Sequence, residues 1–155
     1  MSTEGSLVGV LLVAHGGSAS HLLAAARGIV GDDAFEDVET LDAGAGRTEE
    51  LDRAVEAALQ RLDHGRGVVV ITDLFGASPC NCTRKELTTH ENGVLISGLN
   101  LAMLCKLGHV DRRALSAVEL AEMIAETGRR AVTVHANPPT KTSVPDGETQ
   151  PSKAS

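Results

Sequence analysis

Two polar side chains stand directly after two strongly apolar stretches of this sequence. His15, with two glycines behind it, follows the apolar run at residues 8–14, and Asp73 follows the run at residues 68–72. In an open parallel α/β sheet, reactive groups lie beyond the carboxyl ends of the strands, where the strand order reverses. If the two runs are neighbouring strands, Asp73 can fix the tautomer of His15 and leave its other ring nitrogen free as a nucleophile or base.

Strands that alternate with helices are required to bring these two residues together. Continuous or short apolar runs predict strands at residues 7–14, 38–41, 67–72 and 94–97, and a last short one at 131–135 that could join an edge in antiparallel sense. Helical spacing predicts helices near residues 18–30, 49–62, 78–87, 101–106 and 117–128. The chain is therefore predicted to be an α/β protein, with a doubly wound, mostly parallel sheet of four to five strands and helices on both faces.

Side chains that commonly cap helices stand where the predicted helices begin. The candidate caps are Ser18 or Ser20, Thr48, Ser78 followed by Pro79, Asn100, and Ser116 with Glu119 in a capping box. Gly128 is the predicted end of the last helix.

Several groups near the two strand ends could bind an anion such as a phosphoryl group. Gly16 and Gly17 allow backbone N–H groups to approach an anion closely, and a helix follows them. The hydroxyl of Ser78, the amides at that helix start and the side chain of Asn81 could bind phosphate oxygens. Structural interpretations also stay open: His15 could merely satisfy a backbone group, Asp73 and Ser78 could cap the following helix, and Asn81 could be a solvent-facing residue.

The residues favour neither a metal site nor a dinucleotide-binding loop. Cys80 and Cys82 stand two apart, so on a helix they face different ways, and no further Cys or His pair has zinc-site spacing. Residues 44–46 lack the spacing of a dinucleotide-binding loop. The remaining histidines are interpreted as surface or structural residues.

Composition limits the classes of function. The chain has 155 residues, a hydrophobic fraction of 42%, two Phe, and a net charge of −7. This predicts one domain at residues 1–136, with a flexible Pro/Ser-rich tail at 137–155. The negative charge and the scarcity of aromatic residues argue against nucleic-acid binding and suit a basic protein partner. Three cysteines, no secretory signal and no apolar run of about 20 residues predict a cytoplasmic protein.

Three segments carry a resemblance to a known family. They are Ala-His-Gly at residues 14–16, Asp-Leu-Phe-Gly-Ala-Ser-Pro-Cys-Asn at 73–81 and Ile-Ser-Gly-Leu-Asn-Leu-Ala-Met-Leu at 96–104. In this order and at these intervals they resemble the enzyme IIA component (EIIA) of the mannose family of the bacterial sugar phosphotransferase system (PTS). The resemblance extends over residues 7–135. Ala77 stands where many relatives have a second Gly, and Ala102 where many have Pro.

The resemblance implies a phosphotransferase that works as a phosphohistidine carrier. His15 would accept a phosphoryl group from the phosphohistidine of the carrier HPr and pass it to a IIB protein or domain, with the membrane IIC/IID permease as a further partner. Asp73 would hold the imidazole by its other nitrogen, and Ser78 with the helix-start amides would neutralise the phosphoryl oxygens. The family is commonly dimeric, exchanges an edge strand between subunits, needs no metal or organic cofactor, and works in the cytoplasm or at the inner membrane through the permease complex.

Three other hypotheses remain beside the carrier. A regulatory phospho-switch would accept phosphate on His15 and bind a target protein in one phosphorylation state, without sugar transport; the expectation that the IIB acceptor is a separate protein or absent keeps it open. The dihydroxyacetone-kinase phosphocarrier subunit has a similar fold and a strand-end histidine, but residues 73–81 favour the mannose-type component. A flavodoxin-like cofactor binder would need aromatic or phosphate-loop features that this sequence lacks.

Overall fold

The described part of the chain forms a single parallel sheet. The computed structural model describes residues 5–45, 48–74 and 76–139, apart from the side chains of residues 78, 79 and 82. The strands are β1 (Gly9–Ala14), β2 (Val38–Asp42), β3 (Val68–Thr72) and β4 (Val94–Ser97). They are all parallel and lie in the order β2-β1-β3-β4. The chain thus winds outward in one direction from β1 to β2 and in the other from β3 to β4, which places the switch point between β1 and β3.

Helices cover both faces of this sheet, which confirms the doubly wound α/β prediction. The helices are α1 (Ser18–Val30), α2 (Glu49–Leu62), α3 (Ser78–Leu87), α4 (Leu101–Leu107) and α5 (Ala117–Arg130), with a short 3₁₀ turn at Asp32–Phe35. One face of the sheet packs against α1, α4 and α5, and the other packs against α2 and α3.

Strand β1 belongs to the hydrophobic core on both of its faces. Val10 and Leu12 pack into the core under α1, α4 and α5, whereas Leu11 and Val13 pack into the core under α2 and α3, and all four are fully buried. Successive side chains of a strand point to opposite faces, so a strand covered on both sides must be apolar at every position. This is why the sequence before His15 reads as an uninterrupted apolar run.

Three predicted helix caps are confirmed, and each is local in sequence. The side chains of Thr48 and Asn100 accept hydrogen bonds from the amides of Leu51 and Met103, at 3.1 and 3.2 Å. Ser116 begins α5 with the predicted capping box. A cap of this kind satisfies a backbone N–H that has no partner within the helix.

Two predicted N-caps are wrong by one or more positions. Gly17 precedes α1 and no side chain caps the helix from that position, so Ser18 and Ser20 are already helical. Ala77 precedes α3, so Ser78 is its first residue rather than its cap. In both places a turn that contains glycine follows the strand. The helix after it begins at Ser18 or Ser78 itself, one residue earlier than a cap at either serine would give.

Helix α5 does not end at Gly128 but continues to Arg130. A Cβ atom at Gly128 would lie 2.6 Å from Cγ and Cε of Met103 and 2.9 Å from Nδ2 of Asn100. The glycine therefore allows α5 to approach α4 closely, and it is not a helix terminator.

The predicted last strand at residues 131–135 does not join the described sheet of its own chain. The segment after α5 pairs with none of the described strands, and the side chains of Val132 and Val134 are 79% and 91% exposed. A strand needs a neighbour for its backbone groups, and none of the four described strands supplies one.

The C-terminal tail is largely beyond what the structure describes. Residues 140–155 lie outside the described ranges, so the division into a domain at 1–136 and a tail at 137–155 stays a prediction. None of the helices in the described ranges has the length and apolar character needed to cross a membrane.

Candidate functional site

The candidate site lies at the carboxyl edge of the sheet, between β1 and β3. These strands are hydrogen-bonded neighbours, with Val13 paired to Thr72 at the end of the ladder. The residues that follow each strand therefore emerge side by side, which is the arrangement that the sequence predicts for His15 and Asp73. Because the strand order reverses between these strands, the helices leave from opposite faces and open the edge to a partner.

His15 and Asp73 are joined by two hydrogen bonds to a single carboxylate oxygen. Oδ2 of Asp73 lies 2.9 Å from Nδ1 of the His15 ring and accepts a bond of 2.9 Å from the His15 backbone N–H. The other oxygen, Oδ1, accepts from the N–H of Leu74 at 2.9 Å. Asp73 thereby fixes the ring and the backbone of His15 together.

The hydrogen bonds also determine the electrostatics of the pair. Partial burial of Asp73 raises its pKa, but bonds from the His15 backbone, the His15 ring and the Leu74 amide outweigh this and hold the pKa below its ordinary value. An ionised carboxylate only accepts, so Nδ1 of His15 carries the proton and the lone pair of Nε2 is free. With 35% of the His15 side chain exposed, the ring is open to an incoming group.

Gly16 and Gly17 shape the turn that carries His15. Gly16 has φ of +55°, in the left-handed region that favours glycine, and its N–H donates to the carbonyl of Gly44 at 2.9 Å. A Cβ at Gly17 would lie 2.8 Å from Nδ1 of His21. The phosphate-binding role predicted for these glycines stays a prediction, and for the Gly16 amide it requires the bond to Gly44 to open.

The other predicted phosphate-binding residues lie at the start of α3. Ser78 is the first residue of this helix, and its side chain is outside the description. Nδ2 of Asn81 donates to the carbonyl of Gly76 at 3.0 Å, so the exposed Asn81 side chain closes the turn between Asp73 and the helix. A contact of either residue with phosphate stays a prediction.

A second carboxylate at this edge was missed by sequence reasoning. Asp42, the last residue of β2, accepts from the backbone N–H and the hydroxyl of Ser20 in the first turn of α1, at 3.0 and 2.5 Å. Two features of the sequence could have indicated this contact. Asp42 is a polar residue at the end of a strand, and α1 is preceded by Gly17, which has no side chain to cap it. Only the adjacency of β1 and β2 connects the two.

Metal ligands are not clustered in the described part of the chain. Within it, no group of three or more His, Cys, Asp or Glu side chains is arranged to hold a metal ion. Cys80 is buried and belongs to the interior of the protein.

The fold and the site define an open α/β protein with a histidine paired to a carboxylate at its switch point. The ring is held by Asp73, which follows the neighbouring strand, and 35% of the His15 side chain is exposed. This suits transfer of a small group between His15 and another macromolecule.

Comparison with known proteins identifies the family. The family model described as "PTS system fructose IIA component" matches residues 9–125. The chain is 30% identical, over 126 residues and 81% of its length, to the mannose-specific EIIAB component of the PTS of Escherichia coli strain K12. The same values hold for the EIIAB component of Shigella flexneri. The chain spans 38% of the length of these curated relatives.

Solved structures agree with this assignment. The mannose/sorbose-specific IIA subunit of the PTS from Enterococcus faecalis has a TM-score of 0.75 at 27% identity, covering 85% of this chain and 97% of that one. The EIIA component from Streptococcus agalactiae has a TM-score of 0.68 at 25% identity, covering 83% and 97%. The chain belongs to the mannose-family EIIA components of the phosphotransferase system.

Proposed function

We propose that this protein is a phosphohistidine carrier, which accepts a phosphoryl group on Nε2 of His15 from phospho-HPr and passes it to a IIB protein or domain. The observation that carries the proposal is the 2.9 Å contact between Nδ1 of His15 and Oδ2 of Asp73, which in the neutral ring favours the proton on Nδ1 and the lone pair on Nε2. Family membership supports the same role.

The transfer step follows from this protonation state. Nε2 of His15 attacks the phosphorus, the nitrogen–phosphorus bond to the donor imidazole breaks, and the donor nitrogen keeps the electron pair. Because Nδ1 of His15 retains its proton, the phosphorylated ring carries a positive charge, which the ionised Asp73 balances. The reverse sequence delivers the group to the acceptor, so the carboxylate must stabilise the phosphorylated ring without making transfer irreversible.

Positioning and charge stabilisation are most of what phosphoryl transfer requires from a protein. We propose that the phosphoryl oxygens are met by the Gly17 amide, by the start of α3 and by Ser78. The support is topological: α3 begins shortly after Asp73, at the edge of the sheet that carries His15. The N-terminal end of a helix offers unpaired N–H groups and a positive partial charge.

Donor and acceptor would dock on the open edge around His15. Leu74 is 61% exposed beside the reactive pair, and its backbone is fixed by Oδ1 of Asp73. The net charge of −7 favours encounter with a basic partner surface. Such contacts must be transient, because a carrier releases each partner after every transfer.

The carrier proposal is tested by phosphorylation in a reconstituted system. Incubation with phosphoenolpyruvate, enzyme I and HPr should give an acid-labile mass gain of one phosphate in the wild type and in His109→Ala, but none in His15→Ala. His109 is a suitable control because its Nδ1 is also held, by the carbonyl of Cys105 at 2.7 Å. An unlabelled wild type, with the donor shown to be active on another EIIA, contradicts the proposal.

A second stage separates the carrier from the regulatory alternative. The phosphorylated protein is purified and mixed with a IIB component, and loss of its label with gain of label on IIB identifies a carrier. Stable labelling that survives the IIB component, together with phosphate-dependent binding to another protein, would favour the phospho-switch.

We further propose that the protein forms a homodimer in which residues 131–135 of each copy pair with β4 of the other. In the described sheet β4 has β3 on one side only, and a groove runs along its open side. The groove is lined by β4 together with the apolar side chains of Met103, Ala121 and Ala125 and the charged residues Glu122 and Arg129. Val132 and Val134 stand two apart, so in an extended segment both side chains face one way and could fill it.

A further inference from the structure

The first turn of α1 is capped by a residue from a different strand. Gly17 offers no side chain, and the carboxylate of Asp42 accepts both the backbone N–H and the hydroxyl of Ser20. Burial of Asp42 is slight and raises its pKa, but these bonds, with the Ala19 amide and the nearby His21, bring the pKa below its ordinary value. Asp42 is thus an ionised N-terminal cap supplied by β2.

The same turn holds the backbone of His15. The Ser18 N–H donates to the His15 carbonyl at 3.1 Å, directly before the residues that Asp42 binds. On the other side, the chain that follows Asp42 makes two further contacts with the chain around His15: the Ala43 N–H donates to the Ala14 carbonyl at 2.8 Å, and the Gly44 carbonyl accepts from the Gly16 N–H at 2.9 Å in an isolated antiparallel bridge. The backbone around His15 is therefore hydrogen-bonded to the start of α1 and to the end of β2, and Asp42 connects these two elements.

We propose that Asp42 is a positioning residue for phosphoryl transfer: by clamping α1 to β2 through Ser20, it keeps the ring of His15 aligned with Asp73. The inference rests on the proposed carrier function. Asp73 orients the ring from β3, and the Asp42–Ser20 clamp restrains the backbone from β2, so that the ring is held between two strands. Misplacement of a reacting group by a fraction of an ångström to 1 Å lowers rates by large factors.

Variants of Asp42 and Ser20 distinguish the effect of the hydrogen bonds between them from the effect of the negative charge of Asp42. Asp42→Ala removes both bonds, and Ser20→Ala removes the hydroxyl bonds to Asp42 and to the Gly17 carbonyl and keeps the backbone bond to Asp42. In Asp42→Asn the amide oxygen can still accept from the Ser20 N–H, while the amide nitrogen can donate to the Ser20 hydroxyl. Asp32→Ala is the matched control, since that carboxylate is exposed and lies beyond the opposite end of α1, 4.0 Å from Arg27.

The measurement is the rate of His15 phosphorylation over a range of phospho-HPr concentrations. Asp42→Ala should lower the maximal rate about tenfold or more, with the half-saturating donor concentration changed less than about twofold. The maximal rate of Ser20→Ala should lie between those of Asp42→Ala and the wild type. The maximal rates of Asp42→Asn and Asp32→Ala should remain within about threefold of the wild-type rate. An unchanged maximal rate in Asp42→Ala, a change in donor saturation alone, or an Asn variant as slow as the Ala variant overturns the proposal.

A second readout does not depend on catalysis. Ring ¹⁵N NMR spectra of His15 should show Nδ1 protonated in the wild type and in Asp32→Ala, and a mixture of tautomers in folded Asp42→Ala. If the wild type accepts no phosphate, the carrier function fails, and the clamp is judged by these spectra alone. Identical His15 ring spectra in the wild type and Asp42→Ala refute it.

Discussion

The carboxylate of Asp73 holds His15 in place by using each of its two oxygens for different hydrogen bonds. Oδ2 of Asp73 binds the ring and the backbone of His15, and Oδ1 binds the amide of Leu74. An exposed ion pair leaves its partners free to rotate, whereas three bonds from one carboxylate fix it against the backbone. The His15 ring is consequently held in one orientation, with Nδ1 against Asp73.

Replacing Asp73 by Asn should remove both the negative charge and the hydrogen bonds that hold His15. Oδ2 accepts from the His15 ring and backbone and Oδ1 accepts from the Leu74 N–H, so an amide nitrogen at either position opposes a backbone N–H. At the Oδ2 position it would also donate to Nδ1 of His15, move the ring proton to Nε2 and block the nucleophile. We expect the rate of phosphorylation by phospho-HPr to fall about a hundredfold or more. The control is Asp32→Asn, which should be labelled at the wild-type rate, and equal rates for the two variants would show that Asp73 does not set the tautomer.

The lowered pKa of Asp73 also predicts how stability depends on pH. A carboxyl group whose pKa is lower in the folded state contributes stability above its unfolded value, and this contribution disappears as the pH falls through the folded value. The difference in unfolding free energy between wild type and Asp73→Asn should therefore shrink as the pH falls below about 3.8, the ordinary pKa of the group.

Urea denaturation at several pH values measures this difference. Asp42 and Glu119 also have lowered pKa values, but both are present in each protein, so their contributions cancel in the comparison. A difference that grows on acidification would contradict the assignment of an ionised Asp73.

At the scale of helices and strands, sequence reasoning succeeded where the determinants are local. Thr48, Asn100 and Ser116 cap helices that begin at the next residue, and a pattern a few residues long shows them. The cap of α1 comes from Asp42, on another strand, and only the fold brings it to Ser20. The same reason explains the error at Gly128, whose role depends on contact with α4.

Gly128 offers a test of that contact. In Gly128→Ala the gain in helix propensity is at most about 1 kcal/mol, whereas a methyl group 2.6 Å from Cγ of Met103 forces α5 away from α4 and costs about 1–3 kcal/mol. We expect a net loss in the free energy of unfolding, measured by chemical denaturation.

Gly28→Ala is the matched control for this substitution. Gly28 is exposed in α1, and a Cβ there would meet nothing within 4 Å. The Gly28→Ala substitution should raise the free energy of unfolding by about 0.5–1 kcal/mol. If Gly128→Ala is stabilising to the same degree, the close approach of α5 to α4 is not what requires the glycine.

On the scale of the whole molecule, the position of the His15–Asp73 pair could be predicted from the sequence, whereas the role of the segment after α5 could not. His15 and Asp73 follow apolar strands, so the position of the pair required only that β1 and β3 be neighbours, and they are. The role of residues 131–135 could not be predicted in this way, because alternating valines after a helix indicate a strand without indicating its partner. The structure leaves these valines exposed beside a sheet with an open edge.

Oligomeric state in solution tests whether a second copy covers that edge. Sedimentation equilibrium should give a dimer for the wild type, and a variant carrying both Val132→Lys and Val134→Lys should be monomeric, because desolvating two ammonium groups is costly in a groove whose lining carries the carboxylate of Glu122 together with the guanidinium of Arg129. Val118→Lys is the control: Val118 is 53% exposed at the start of α5, away from the groove, and its variant should remain dimeric. A monomeric wild type contradicts the dimer, and a dimer that survives the double substitution places its interface elsewhere.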